Sequence, residues 1–337
     1  MIEGRLGFCC QLILEDPQAQ AASNMRTATM AWLARQTPGE AYDRLAEIAR
    51  HNLDALDRQI AFVAAMPREE RMFRIVSGMF PGWSHPTAEP YWRDADLRAL
   101  IDRRLAAAGD AARAGDVRLA MHPGQHAVIA TLRPDAFANA LRDLRDHQRQ
   151  MALMGYGGGW HPHGAFVNVH GGSGVAGIEG LKAGLAALPQ DVLDLLTIEN
   201  DEHCFGLDDL LQVADTVAIV VDFHHHWVHS SGEYLEPDDA RVAQLAASWR
   251  GTRPAAHISV SPEDLFDALP DGAPDYPALF AAGHKKAHLR RHSAMMWNAH
   301  VNDLVARHLA WTDVEVEAKG KNLASRQLAD HVRAMPA

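Results

Sequence analysis

The chain has 337 residues, 47% of them hydrophobic and 22% charged, and carries a formal charge of -11, which reads as an ordinary folded globular protein and argues against a broadly basic nucleic-acid surface. Three cysteines (Cys9, Cys10 and Cys204) exclude a disulfide framework and fit a reducing cytoplasm. No apolar run reaches membrane-spanning length, and Glu3 and Arg5 interrupt the first ten residues, so neither a span nor a signal peptide is expected.

Short apolar or β-branched runs predict strands at Arg5 to Cys10, Met72 to Val76, Val117 to Met121 and Ala165 to Val169. Further strands are predicted at Leu195 to Ile198, Val217 to Val221, His257 to Val260 and Val314 to Ala318. Between them lie amphipathic stretches with helical spacing. These run from Gly39 to Met66, Asp94 to Arg113, Asp135 to Met154, Ile178 to Leu188, Leu207 to Ala214, Pro237 to Ser248 and Met295 to Trp311, with a last one after Asn322. Strands alternating with helices predict parallel pairing through right-handed crossovers. Eight such units match a (β/α)8 TIM barrel in the α/β class, with a doubly wound sheet as the alternative. Neither a repeat nor a low-complexity linker divides the chain, which predicts one domain over residues 1–337 with a core from about 4 to 334.

A barrel should collect its chemistry where strands end and βα loops begin. The third strand runs into His122, the fourth into His170 and the fifth into Glu199. The sixth delivers Asp222 and His225, the seventh carries His257, and the eighth ends near Glu317. The loop after the second strand adds His85. Any one of these reads more simply as a hydrogen-bonded structural residue, but the joint delivery to one rim favours a metal site. Imidazole and carboxylate without thiolate suit Mn, Zn, Fe or Co. The ligands outnumber what one ion uses, so a cluster is expected, with Glu199 as a bridging carboxylate between ions roughly 3.5–4 Å apart. In DFHHHW, an extended segment would put Asp222 and His224 on one face. Pairing Asp222 with His225 therefore requires a turn just after the strand, and leaves His224 and His226 as packing residues.

With these residues placed, the chain resembles the UV damage endonuclease family, metal-dependent DNA repair enzymes with a TIM-barrel fold. The matching pieces are RLGF (from Arg5), FRIVSGMFPGWSH (from Phe73), MHPGQ (from Met121), VHGG (from Val169) and IEND (from Ile198). VDFHHHW (from Val221), HIS (from His257), RRHSAMMW (from Arg290) and VEAKGK (from Val316) continue the series in the family's order. The resemblance implies two to three divalent ions, manganese first, that cut damaged double-stranded DNA immediately 5′ to a lesion. It assigns the ligands to His85, His122, His170, Glu199, Asp222, His225, His257, His292 and Glu317, His292 resting mainly on the resemblance. Glu199, His257 and Glu317 are the expected catalytic residues. Gln125 falls where the family probes the damaged base pair, and His126, Phe8, Trp83 (with Tyr91 and Trp92) and Lys319 are the other candidate substrate contacts.

The chain departs from the family at Ala255, where a lysine is usual, at Phe8 in place of tyrosine, at His126 in place of Tyr or Phe, and in HGGSGVAG, which lacks the usual basic residue. The expected reaction is metal-assisted hydrolysis of a DNA phosphodiester, reached by straining or flipping the lesion. Lys285, Lys286, Arg290 and Arg291 form the densest basic run, readable as a phosphate contact or as a solvated face. The competing reading is a barrel-rim metal enzyme acting on a small molecule, of the sugar isomerase or metallo-oxidase kind.

Overall fold

The computed structural model describes residues 3–124, 127–172, 174–265 and 272–335. Eight parallel strands close into a barrel in sequence order. They are β1 (Leu6–Cys9), β2 (Met72–Ile75), β3 (Arg118–Met121), β4 (Phe166–His170), β5 (Leu196–Glu199), β6 (Ala218–Asp222), β7 (Ala255–Ile258) and β8 (Asp313–Val316). Helices alternate with them, the principal ones being Pro38–Ala64, Ala95–Ala114, Pro134–Met151, Gly177–Ala186, Ala240–Ser248, Ala299–His308 and Lys321–Ala334. The longest starts where Thr37 and Glu40 form a reciprocal capping box ahead of Pro38. No helix among the described residues is long and apolar enough to cross a membrane.

The (β/α)8 barrel expected from the alternation is the fold observed; several element ends shift by a few residues, and two of the shifts bear on the site. The seventh strand begins at Ala255, not His257, so His257 lies within it and pairs with Asp222 on one side and Glu315 on the other. The stretch Met295–Trp311 is helical only over Ala299–His308. Asn298 caps that helix by accepting from the Val301 N–H at 3.0 Å, while the Trp297 indole donates to the Ser261 carbonyl at 3.0 Å and holds the preceding segment as a loop.

Alternation along each strand sorts the side chains into two layers. Leu6, Phe8, Phe73, Ile75, Val167, Val169, Ile198, Val221, Ile258 and Val316 belong to the large apolar cluster that packs the barrel wall against the helices. Inside, Met72, Ala120, Phe166, Ala218, Val220, Trp249 and Ala255 make a smaller dry layer. Above that layer the inward positions turn polar, with Arg74, Asn168, Thr197, Glu199, Asp222, His257 and Glu315 all buried. The barrel thus carries an apolar floor beneath a charged upper storey, at the strand ends where barrel chemistry belongs.

Candidate metal centre at the strand ends

Glu199 ends β5 opposite His170 in register, and its carboxylate is the point on which the other groups converge. Its Oε2 lies 3.4 Å from His122 Nε2, and its Oε1 lies 3.3 Å from His225 Nδ1 and 3.2 Å from His257 Nδ1. His257 Nδ1 is also 3.0 Å from Glu317 Oε1, and His225 Nδ1 is 3.8 Å from Asp222 Oδ2. Three ligand-like groups result: His122, His170 and Glu199; Glu199, Asp222 and His225; and Glu199, His257 and Glu317. Glu199 is a member of all three.

Whether these residues suit metal ions can be judged from the hydrogen bonds they do not make. Glu199 Oε1, Asp222 Oδ2, His170 Nδ1 and both ring nitrogens of His257 are buried without a hydrogen-bond partner. Leaving a buried polar atom unpaired costs about 1–3 kcal/mol, more for a charged group. So many of them facing one space fit a site built for cations with nitrogen and oxygen ligands. The electrostatics agree. Burial disfavours the charged forms, yet the carboxylates of Asp222 and Glu199 hold His225 well above the usual histidine range, and Glu199, Glu315 and Glu317 do the same for His257. Burial likewise opposes ionisation of Glu199, but His257 and His170 hold it well below the ordinary carboxylate range. Cations would replace those protons, so loading the site should release them.

A supporting shell fixes the ligands. Asn168 donates its side-chain N–H to Glu199 Oε2 at 2.5 Å and accepts the Thr197 hydroxyl at 2.8 Å. Asn200 clips the ends of β5 and β6 together, donating to the Asp222 carbonyl at 3.0 Å and accepting the Asp222 N–H at 2.9 Å. The turn expected after β6 is the first turn of a helix, Phe223–His229. Asp222 caps it by accepting the His225 N–H at 2.7 Å, which brings aspartate and histidine side by side. His224 faces the Ser261 hydroxyl and the Leu289 carbonyl, and His226 approaches Glu233 at 3.6 Å. Neither is in a ligand group.

Sequence patterns alone missed Arg74, Glu315, Asn168 and Asn200. Arg74 lies 3.0 Å from Glu315 through Nε and 2.5 Å from Glu317 through Nη1. Burial works against its charge, but the two carboxylates hold it protonated. Glu315 is fully buried, and that burial raises it to about 7. The available signal was charge at every second position of otherwise apolar strands, in FRIV and in VEVE.

The remaining candidates are less central. His85 accepts the Thr87 N–H through Nδ1 at 3.2 Å and lines a cavity of about 660 Å³ with Gly124; it joins none of the three groups. His292 Nδ1 stands 3.9 Å from Glu317 Oε2 and shares a cavity of about 440 Å³ with Lys319, Cys10 and Arg74. Trp83 packs against Phe80 and Trp92, with ring centroids 4.8 and 5.3 Å away. Phe8 is fully buried beside Val316 and Phe73 on the helix side of the wall, which removes it from contact with a ligand at the rim. Gln125 and His126 lie outside the described residues. In the basic run, Arg290 is engaged by Glu202 at 2.8 Å and Arg291 approaches Asp264 at 3.9 Å.

Comparison with known proteins points the same way. The pattern of the family described as UV-endonuclease UvdE matches residues 4–336. A UV DNA damage endonuclease of Deinococcus radiodurans is 28% identical over 326 residues, covering 95% of this chain and 93% of the relative. Another, of Nostoc sp., is 24% identical over 309 residues, covering 90% and 84%. The crystal structure of SacUVDE superposes with a TM-score of 0.73 at 20% identity, covering 98% of each chain, a likeness of fold.

Proposed function

The chain belongs to the UV-endonuclease UvdE family, and on that premise we propose that it nicks damaged duplex DNA immediately 5′ to the lesion by metal-assisted hydrolysis. The observation that carries this reading is Glu199, a buried carboxylate facing His122, His225 and His257 with one oxygen left without a hydrogen bond. Two to three divalent ions would be held by His122, His170, Glu199, Asp222, His225, His257 and Glu317, with His85 and His292 at the edges. Manganese is the first candidate, then zinc, cobalt or iron. When bound, such ions supply charge neutralisation at a phosphate and a nucleophilic water near neutral pH.

The protein's own groups do the rest. Asn168 fixes the orientation of the Glu199 carboxylate, and Arg74 holds Glu317 against His257. The apolar layer containing Ala255, Phe166 and Trp249 keeps water from entering beneath the site. Ala255, where the resemblance leads one to expect lysine, belongs to that dry layer, and Arg74 in β2 is the buried cation above it.

Elemental analysis of the purified protein tests the ligand assignment. Two to three transition-metal ions per chain are expected, falling with loss of activity in His225→Ala. Fewer than two ions in the wild type, or a His225→Ala protein that keeps both metal and activity, would contradict it.

A further inference from the structure

Five of the ten residues lining one surface cavity are arginines. The helix Pro134–Met151 places Arg142, Arg145 and Arg149 at spacings of three and four, one above the other on a single exposed face. Arg98 from the helix Ala95–Ala114 and Arg93 stand opposite, with Glu89 and Asp146 the only carboxylates lining the same cavity of about 470 Å³. Arg93 is engaged by Glu89 at 2.6 Å, and Arg142 hydrogen-bonds the Asn139 side chain. Among the described residues, Arg142, Arg145 and Arg149 make no ion pair with a carboxylate. Burial and the positive charge of Arg149 hold Arg98 below the ordinary arginine range, against the pull of Asp102 at 3.5 Å and of Asp146.

This groove adjoins a larger cavity that approaches the loop after β3. It shares Trp83, Ser84, Arg142 and Asp146 with the cavity of about 660 Å³ that holds His85 and Gly124, two residues beyond His122. The two cavities therefore adjoin, one reaching Gly124 after β3 and the other the arginines on the outer helices. On a chain of net charge -11, the exposed face of Arg142, Arg145 and Arg149 concentrates positive charge in one place, and guanidinium forks match phosphate oxygens.

We propose that the arginine groove formed by Arg98, Arg142, Arg145 and Arg149 is a track for the sugar-phosphate backbone of DNA flanking the lesion on one side. The proposal rests on the reading of the chain as a DNA endonuclease and adds where the flanking duplex lies. Contacts of this kind position the duplex without reading its sequence. They anchor one flank and leave the other to the opposite side of the rim.

The test is binding of an undamaged fluorescent duplex to the metal-loaded protein over about 50–200 mM salt, where each lost phosphate contact flattens the log–log slope by about 0.9. An Arg142→Ala, Arg145→Ala, Arg149→Ala triple variant is expected to lower the slope by about 2–3 and to weaken binding about tenfold or more at the low-salt end. The matching triple lysine variant keeps the charge and should keep most of the slope. Shortening the duplex on one flank should weaken the wild type and leave the alanine variant unaffected. A wild-type slope in the alanine variant overturns the proposal, as does equal loss in the alanine and lysine variants. If the wild type neither binds this duplex nor nicks irradiated DNA, the endonuclease reading fails first and the track with it.

Discussion

Glu199→Gln removes metal and nicking together. Glutamine keeps the shape of the side chain and an oxygen for Asn168, but it replaces the charge that three ligand groups share. Changes to groups that merely support a ligand weaken metal binding or activity by about 10–100-fold. Loss of the common ligand should exceed that, leaving nicking down by more than about 100-fold and metal content below one ion per chain. The barrel should survive, because a neutral amide is easier to bury than a carboxylate whose neighbours have lost their cations. Thermal melting of the chelated proteins checks this: comparable melting temperatures with absent metal in the variant are expected. A variant that retains both metal and nicking would show that the carboxylate is not the shared ligand.

Arg74→Met destabilises the protein by about 3–5 kcal/mol, the range for removing one partner of a buried ion pair. Methionine fills similar volume, but Glu315 and Glu317 are left facing one another and His257 without the guanidinium. The effect should depend on pH, with a definite sign. Burial already raises Glu315 to about 7, above its unfolded value, so its contribution favours folding at low pH and is lost as pH rises through 7. Without Arg74 that window moves up further, and the variant's deficit should be larger at about pH 8 than at about pH 5. Urea unfolding of chelated protein at both values measures it. A loss under about 1 kcal/mol at both would mean that the pair is not what keeps the upper storey of the barrel together.

Much of this architecture was legible in the sequence because parallel barrel strands are buried on both faces and read as short apolar runs. The rim was legible for the complementary reason. His122, His170, Glu199, Asp222 and Glu317 follow such runs at the point where a buried strand stops, and polar residues there need partners. The inner parity of the strands was not legible. Phe8 and Val316 are as apolar as inward residues would be, so the sequence leaves open which way they face, and only pairing in register sets Phe8 among the helices. Arg74 and Glu315 were hidden by distance, since their partnership joins β2 and β8, which are far apart in sequence and come to flank β1 only when the barrel closes. The helix after β6 was hidden by composition, because three consecutive histidines carry no helical signature and Asp222 as its cap is what starts the turn. His85 was expected on the rim from its order in the chain; it joins none of the three ligand groups, and its Nδ1 accepts the Thr87 N–H.

The most direct test is an end-labelled duplex carrying one defined lesion, incubated with the metal-loaded protein and mapped to the nucleotide. A single nick immediately 5′ to the lesion, absent with chelator and restored by manganese, is the expected result. No nick with manganese, cobalt or zinc at enzyme equal to substrate would contradict the assignment of Glu199 and its histidines to a DNA-cleaving metal centre.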